Sequence, residues 1–186
     1  MPVPTSDTDR QTAYQQRAAR IDGVSDWSLV GRISLDDGEQ GGSGRLKWVI
    51  KADRGNMDFH GALGRGAWHM ETGPEGAVLQ LADGSEHSAD EVDTLVQQQI
   101  GWSIPVTALQ WWVRGLSAPG AVDEQSLDVD GSLTRLEQFG WQINYNRYHT
   151  GSGIAMPTRL DARRDNYRVK LAISRWQITP LDAIGN

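Results

Sequence analysis

The chain has 186 residues, enough for one domain with a real core and too few for two comfortable ones. Its 18 Lys and Arg against 24 Asp and Glu give a net charge of −6, which argues against a nucleic-acid partner held by phosphate neutralisation. With no cysteine, a disulfide framework, a thiolate nucleophile and a Cys-ligated zinc site are all excluded.

The opening "MPVPTSDTDRQ" lacks the charged and apolar regions of a signal peptide, and no run reaches the roughly 18 apolar residues of a membrane helix, so the chain as given reads as soluble. Residues 1–6 and 179–186 read as loose ends. From 7 to 21 Tyr14, Ala18 and Ile21 recur at helical spacing, predicting a weakly amphipathic helix. In "WSLVGRISL" the period changes: Trp27, Leu29, Ile33 and Leu35 alternate with polar neighbours, as in a half-buried strand. "GEQGGSG" (38–44) reads as a flexible hairpin loop. A strand over 45–51 places Leu46, Trp48 and Ile50 on one face, and another over 56–61 offers Met57 and Phe59. A glycine-rich turn, "GALGRG", then carries Leu63 near its tip. Glycine suits such a turn because it takes positive φ freely, but a large aliphatic side chain there needs a reason. Trp68 with Met70, and Ala77 with Leu79 and Leu81, continue the alternation to an Asp83-Gly84 hairpin turn. The first half is thus an antiparallel meander.

A helical insertion over about 88–116 interrupts it. "SADEVDTLVQQQIG" offers Ser88 as N-cap with Glu91 three residues on, a capping-box pattern, followed by a stripe of Val92, Leu95, Val96 and Ile100. "IPVTALQWWVRGL" places Val106, Leu109, Trp112, Val113 and Leu116 on one face behind Pro105. Strands resume over 126–129, 133–138, 141–148 with Ile143 inward, and 158–163. In "YRVKLAISRWQI" Val169, Leu171 and Ile173 share one parity while Trp176 and Ile178 take the other, which predicts a bulge near Ser174 or Arg175.

Nothing in the pattern demands an enzyme. His60, His69, His87 and His149 lie far apart without ligand spacing, no serine sits in a nucleophile elbow, and the acidic pairs fall on turns or helix starts. No cofactor or metal site is visible. Eight tryptophans stand out, at positions 27, 48, 68, 102, 111, 112, 141 and 176. They fit an aromatic core, which keeps a modest edge on these residues alone, or an apolar concave face with helices as its lid.

In order along the chain, "WSLVGRISL", "GRLKW", "ALGRG", "GWSIPVTALQWWVRGL", "LEQFGWQINYNRY", "MPTRL" and "VKLAISRW" resemble LolB, the family of outer-membrane lipoprotein receptors of Gram-negative bacteria. The resemblance covers roughly residues 27–176. It implies a mainly β fold, an unclosed antiparallel half-barrel with an α-helical lid over a hydrophobic cavity. It also implies a job: accepting acylated lipoproteins from the periplasmic carrier LolA and placing them in the inner leaflet of the outer membrane, as a monomer. Leu63 matches the loop position that the family links to membrane insertion. The acyl cavity is then expected to be lined by Trp27, Leu29, Leu46, Trp48, Met57, Phe59, Ile143, Leu171 and Ile173 on the sheet, and by Val92, Leu95, Leu109, Trp112 and Val113 under the lid. Two departures stand out. Family members are anchored at the periplasmic face of the outer membrane through an N-terminal cysteine that this sequence does not contain, which points to a chain shortened past its anchor or to a naturally soluble homologue. Where the family often has proline before the loop leucine, this chain has Ala62. A general binder of fatty acids or phospholipids on the same scaffold, and a filled structural domain using a sheet edge, are the competing readings.

Overall fold

The computed structural model describes residues 6–62, 66–151 and 153–179. Helix α1 (Asp7–Asp22) forms where the periodicity predicts it. Ser6 Oγ accepts from the Asp9 N–H at 3.1 Å, and Asp7 and Asp9 place negative charge where unpaired N–H groups favour it. The helix buries Tyr14 and Ile21, and with them Arg17.

All eleven strands belong to one antiparallel sheet. The first half of the chain supplies β1 (Asp26–Asp36), β2 (Gly41–Lys51), β3 (Arg54–Gly61), β4 (Trp68–Gly73), β5 (Gly76–Leu81) and β6 (Glu86–Ala89). Helices α2 (Val92–Gln99) and α3 (Val106–Trp112) follow, and then β7 (Glu124–Leu127), β8 (Leu133–Gln138), β9 (Trp141–Thr150), β10 (Ala155–Arg164) and β11 (Tyr167–Thr179). The spatial order is β6-β5-β4-β3-β2-β1-β11-β10-β9-β8-β7. Pairing of β1 with β11 therefore puts the chain's first and last strands side by side at the centre, and its two halves run outward from there. The outermost strands, β6 and β7, do not meet, so the sheet stays an open half-barrel. The α2–α3 segment connects these two edges, which is why it lies over the concave face.

Strand parity decides what that face contains. Along β1 the side chains of Trp27, Leu29 and Ile33 are buried while Ser28, Arg32 and Ser34 alternate outward. The long β11 keeps its apolar face only by changing register. Val30 pairs with Arg175 but Gly31 with Ile173, leaving Ser174 as the extra residue of a bulge, its hydroxyl donating to the Val30 carbonyl at 3.1 Å. Trp176 consequently turns back to the interior side, where its Nε1–H donates to the Pro157 carbonyl at 2.7 Å.

Three expectations need correction. The glycine-rich 38–44 segment is mostly strand: only residues 37–40 turn, with Asp37 Oδ1 accepting from the Glu39 N–H at 2.9 Å and the Gln40 N–H at 2.6 Å. Gly44 lies buried under the Phe59 ring, where a Cβ would meet ring carbons at 2.6 Å, so the absence of a side chain is a packing requirement. Ser88 does not cap a helix. It pairs with Val78 in β6, because the Asp83-Gly84 turn carries the chain straight into another hairpin arm, and α2 starts later, after Glu91 and with no side-chain cap. Finally, the strand expected at 126–129 lies at Glu124–Leu127, displaced by the turn whose Gly131 N–H donates to the Asp128 carbonyl at 3.0 Å.

Candidate functional site: the roofed concave face

The concave side of the sheet and the underside of α2 and α3 form one apolar interior. Of the fourteen residues expected to line a cavity, thirteen are buried: Trp27, Leu29, Leu46, Trp48, Met57 and Phe59 from β1–β3, Ile143 from β9, Leu171 and Ile173 from β11, and Leu95, Leu109, Trp112 and Val113 from the helical segment. Val92, at the start of α2, is half-buried. Leu63 lies outside the described residues. The pattern did not place Met70 and Leu79, both fully buried, among the lining, nor Trp102, which follows α2 without any periodic signal. Trp102 closes an aromatic triangle, 5.6 Å from Phe59 and 5.2 Å from Trp68, both contacts edge-to-face.

The roof is tied down unevenly. At the end of α3, Trp112 Nε1–H donates to Gln138 Oε1 at 2.9 Å, and the same oxygen accepts the Ala118 N–H at 2.9 Å. Gln138 Nε2–H returns a bond to the Ala118 carbonyl at 2.7 Å, and the Tyr145 hydroxyl donates to the Trp112 carbonyl at 2.8 Å. Arg17, reaching over from α1, donates to the Gly115 and Arg114 carbonyls at 2.9 Å and to the Ala155 carbonyl at 2.7 Å. Burial lowers the pKa of this guanidinium, which still stays charged because an arginine starts so high. Burial also pushes the Tyr145 and Tyr148 hydroxyls up, so both are neutral donors. The other end is held more lightly. Pro105 cannot cap α3 with its side chain, and Asp93 of α2 does so instead, its Oδ1 accepting from the Thr107 N–H at 3.0 Å. The two helices are thereby coupled to each other, and α2 itself rests on the sheet through apolar contact alongside β5 and β6.

Space is left where the roof is least tied. A cavity of about 200 Å³ lies between β2–β4 and the helices, lined by Trp48, Met57, Met70, Val92 and Val106 together with Asp53, Thr72, Thr107 and Gln110. A groove of about 520 Å³ opens at the end of the sheet, lined mainly by Leu35, Phe59, Ala67, Trp68, Leu81, Ile100 and Trp102. Gly66 also borders it. Among the described residues no cluster of three or more His, Asp or Glu could hold a metal, and no helix is long and apolar enough to cross a membrane. The apolar part of this lining has the chemistry to shelter hydrocarbon.

Solved structures share this architecture. The putative outer membrane lipoprotein-sorting protein domain from Vibrio parahaemolyticus superposes with a TM-score of 0.59 at 9% identity over 91% of this chain and 92% of that one. The LolA superfamily protein from Nitrosomonas europaea gives 0.54 at 8% identity, covering 89% and 93%. The fold is that of the half-barrel proteins typified by the LolA superfamily. The sequence model described as "Outer membrane lipoprotein LolB" matches residues 25–176, and the chain belongs to the LolB family. Its similarity to the outer-membrane lipoprotein LolB of Pseudomonas aeruginosa is 38% identity over 172 residues, 91% of this chain and 82% of that protein. For the LolB of Alkalilimnicola ehrlichii it is 34% over 179 residues, 96% and 90% respectively.

Proposed function

We propose that this protein is a receptor for acylated lipoproteins that takes cargo from a LolA-type carrier and passes it into the inner leaflet of the outer membrane without catalysing a covalent reaction. The whole described chain acts as one LolB-like domain, monomeric in this role. The observation that carries the reading is the apolar interior, walled by Trp27, Trp48, Met57 and Phe59, roofed by Leu95, Leu109 and Trp112, and continuous with the apolar groove at one end.

Hydrocarbon is what such a surface selects. Burying an acyl chain gains about 0.8 kcal/mol per CH₂, so a lipoprotein needs cover throughout its aqueous journey. The cavity of about 200 Å³ is below the ~300–1,000 Å³ usual for ligand pockets, so admission requires the roof to lift. The α2 end is the part that moves, because the polar ties gather at the other end of α3. Direction comes from affinity: each ~1.4 kcal/mol by which the receptor outbinds the carrier biases the handover tenfold. Leu63 is the membrane-facing probe, and burying one leucine yields at most about 1.5–3 kcal/mol, enough for transient docking only.

The test separates acceptance from delivery. Lipoprotein bound to a LolA-type carrier is mixed with parent or Leu63→Glu protein, and transfer is followed first by pull-down and then by flotation with liposomes. The expected variant accepts cargo normally and fails to insert it. Equal insertion by both proteins overturns the role of Leu63, and failure of the parent to take cargo overturns the receptor itself. A fatty acid that binds equally well with no protein donor involved, while lipoprotein is refused, favours a general lipid binder.

A further inference from the structure

We propose that the convex face of the sheet is an electrostatic docking surface for anionic phospholipid headgroups, separate from the apolar interior. A protein of net charge −6 concentrates its cations there. One row crosses the sheet from strand to strand at a single level: Arg147 on β9 opposite Arg159 on β10, then Ala172 on β11, Arg32 on β1, Arg45 on β2 and His60 on β3. Lys47, Lys170 and Arg175 flank this row, and Arg163 faces Arg168 closer to the 37–40 turn. The carboxylates of the same face lie off this row: Asp58 is bonded by His69 and faces Lys47, Asp161 is bonded by Arg163 and faces Lys170, Asp36 faces Arg168, and Asp26, Glu71, Glu86, Glu124 and Glu137 sit at strand ends or on the outer strands. Among the described residues no salt bridge engages Arg32, Arg45, Lys47, Arg159 or Lys170.

Opposite charges face each other at Lys47–Asp58, Lys170–Asp161 and Arg168–Asp36, so stability accounts for the flanking cations but not for the row itself. Like charges directly opposite one another weaken an antiparallel pair, and Arg32–Arg45, Arg147–Arg159 and Arg163–Arg168 are three such pairs. Adjacent strands lie about 4.8 Å apart, well inside the ~8 Å Debye length at physiological salt, so the row acts as one field. Arg32 and Arg159 are exposed and line an open depression of about 570 Å³ over β1 and β11 that also receives Lys170, Asp161, Ser34 and Ser43, and the exposed Arg45 lies opposite Arg32.

The chemistry favours a lipid surface over an acidic protein. Protein interfaces are anchored by buried aromatic residues with charge at the rim, whereas here the outward neighbours of the cations are Ser28, Ser34, Ser43, Val49 and Ala172. The large apolar side chains that are exposed, Val122, Val129 and Phe139, lie off this face. A broad cationic field without anchors suits a fluid polyanionic plane, to which each Lys or Arg adds roughly fivefold in partitioning.

The experiment uses the protein alone, with no lipoprotein and no carrier, so its failure leaves the receptor reading intact. Co-sedimentation with vesicles of phosphatidylcholine is compared with vesicles that also contain phosphatidylglycerol, at low and high salt. Binding should require phosphatidylglycerol, fall with salt, and drop on the order of twentyfold in Arg32→Gln/Arg45→Gln. Arg20→Gln on α1, an exposed position away from the sheet, also changes net charge and should bind like the parent. All of these are surface positions, and matching thermal melts establish that the variants fold. Equal binding to both vesicle types, or an unchanged double variant, overturns the proposal. Salt-sensitive binding to a polyglutamate peptide with none to anionic vesicles overturns it in favour of an acidic protein partner.

Discussion

Replacing Gln138 by Leu tests whether the roof is held by a buried polar clasp. Gln138 is fully buried on β8 and makes three hydrogen bonds, to the Trp112 indole N–H, the Ala118 N–H and the Ala118 carbonyl. Leucine fills similar volume, so cavity formation contributes little and the loss is that of three bonded polar partners left without solvent. At about 1 kcal/mol net for each, the variant should lose ~3 kcal/mol. For a chain of this size, ~2–4 °C per kcal/mol converts that into a fall of about 6–12 °C in Tm. Differential scanning calorimetry reads it directly. Trp112→Phe removes one of the three bonds and leaves a cavity where the fully buried indole narrows to a phenyl ring, so it should cost more than the ~1 kcal/mol of the lost bond alone. A Gln138→Leu melt within about 2 °C of the parent, less than 1 kcal/mol, refutes the clasp.

Arg17→Met should destabilise by at least ~2 kcal/mol in urea titrations, because the Gly115, Arg114 and Ala155 carbonyls all lose their donor; a smaller loss means that water replaces it. Gly44→Ala should cost about 1–3 kcal/mol through collision with the His60 carbonyl oxygen and the Phe59 ring, while Gly42→Ala, with nothing within 4 Å of its Cβ, should be near neutral; equal midpoints for the two variants contradict the packing account. Burial opposes the charge on His69, but hydrogen bonds to Asp58 and Glu71 outweigh it and leave the pKa above 6.5. Its contribution to stability is therefore complete below the unfolded value and fades as pH rises through the folded one. In Asp58→Asn the NMR titration midpoint of His69 should fall, and an unchanged midpoint rules out the pairing.

Strand parity made most of the sheet legible in the sequence, since one face of each strand is buried and a shift of one residue would expose it. Even the bulge at Ser174 could be read, because Ile173 and Trp176 cannot share a face without an extra residue. Local signatures were less faithful. The Ser88 and Glu91 pattern satisfies a helix start in isolation, yet the unpaired edge of β5 claims Ser88 for a strand, a demand created by residues ten positions earlier. Arg17 and Gln138 escaped for another reason: hydrophobic periodicity treats polar residues as outward, and only the carbonyls and the indole they meet far along the chain make them interior. Trp102 sits in a connection with no period at all, where its partners Phe59 and Trp68 are set by tertiary contact.

An unsealed sheet has two rims, and rims are where neighbouring molecules zip together into aggregates. Both rims here are abbreviated to four residues and written in unhelpful letters for self-association: "EHSA" along β6 and "EQSL" along β7. Each also has a chaperoning helix, α2 beside β6 and α1 beside β7, the latter fastened by Gln125 Nε2–H donating to Gln11 Oε1 at 2.8 Å. The gap that distinguishes this shell from a sealed cylinder can thus persist at high concentration, and lengthening either rim with β-branched residues should drive self-association.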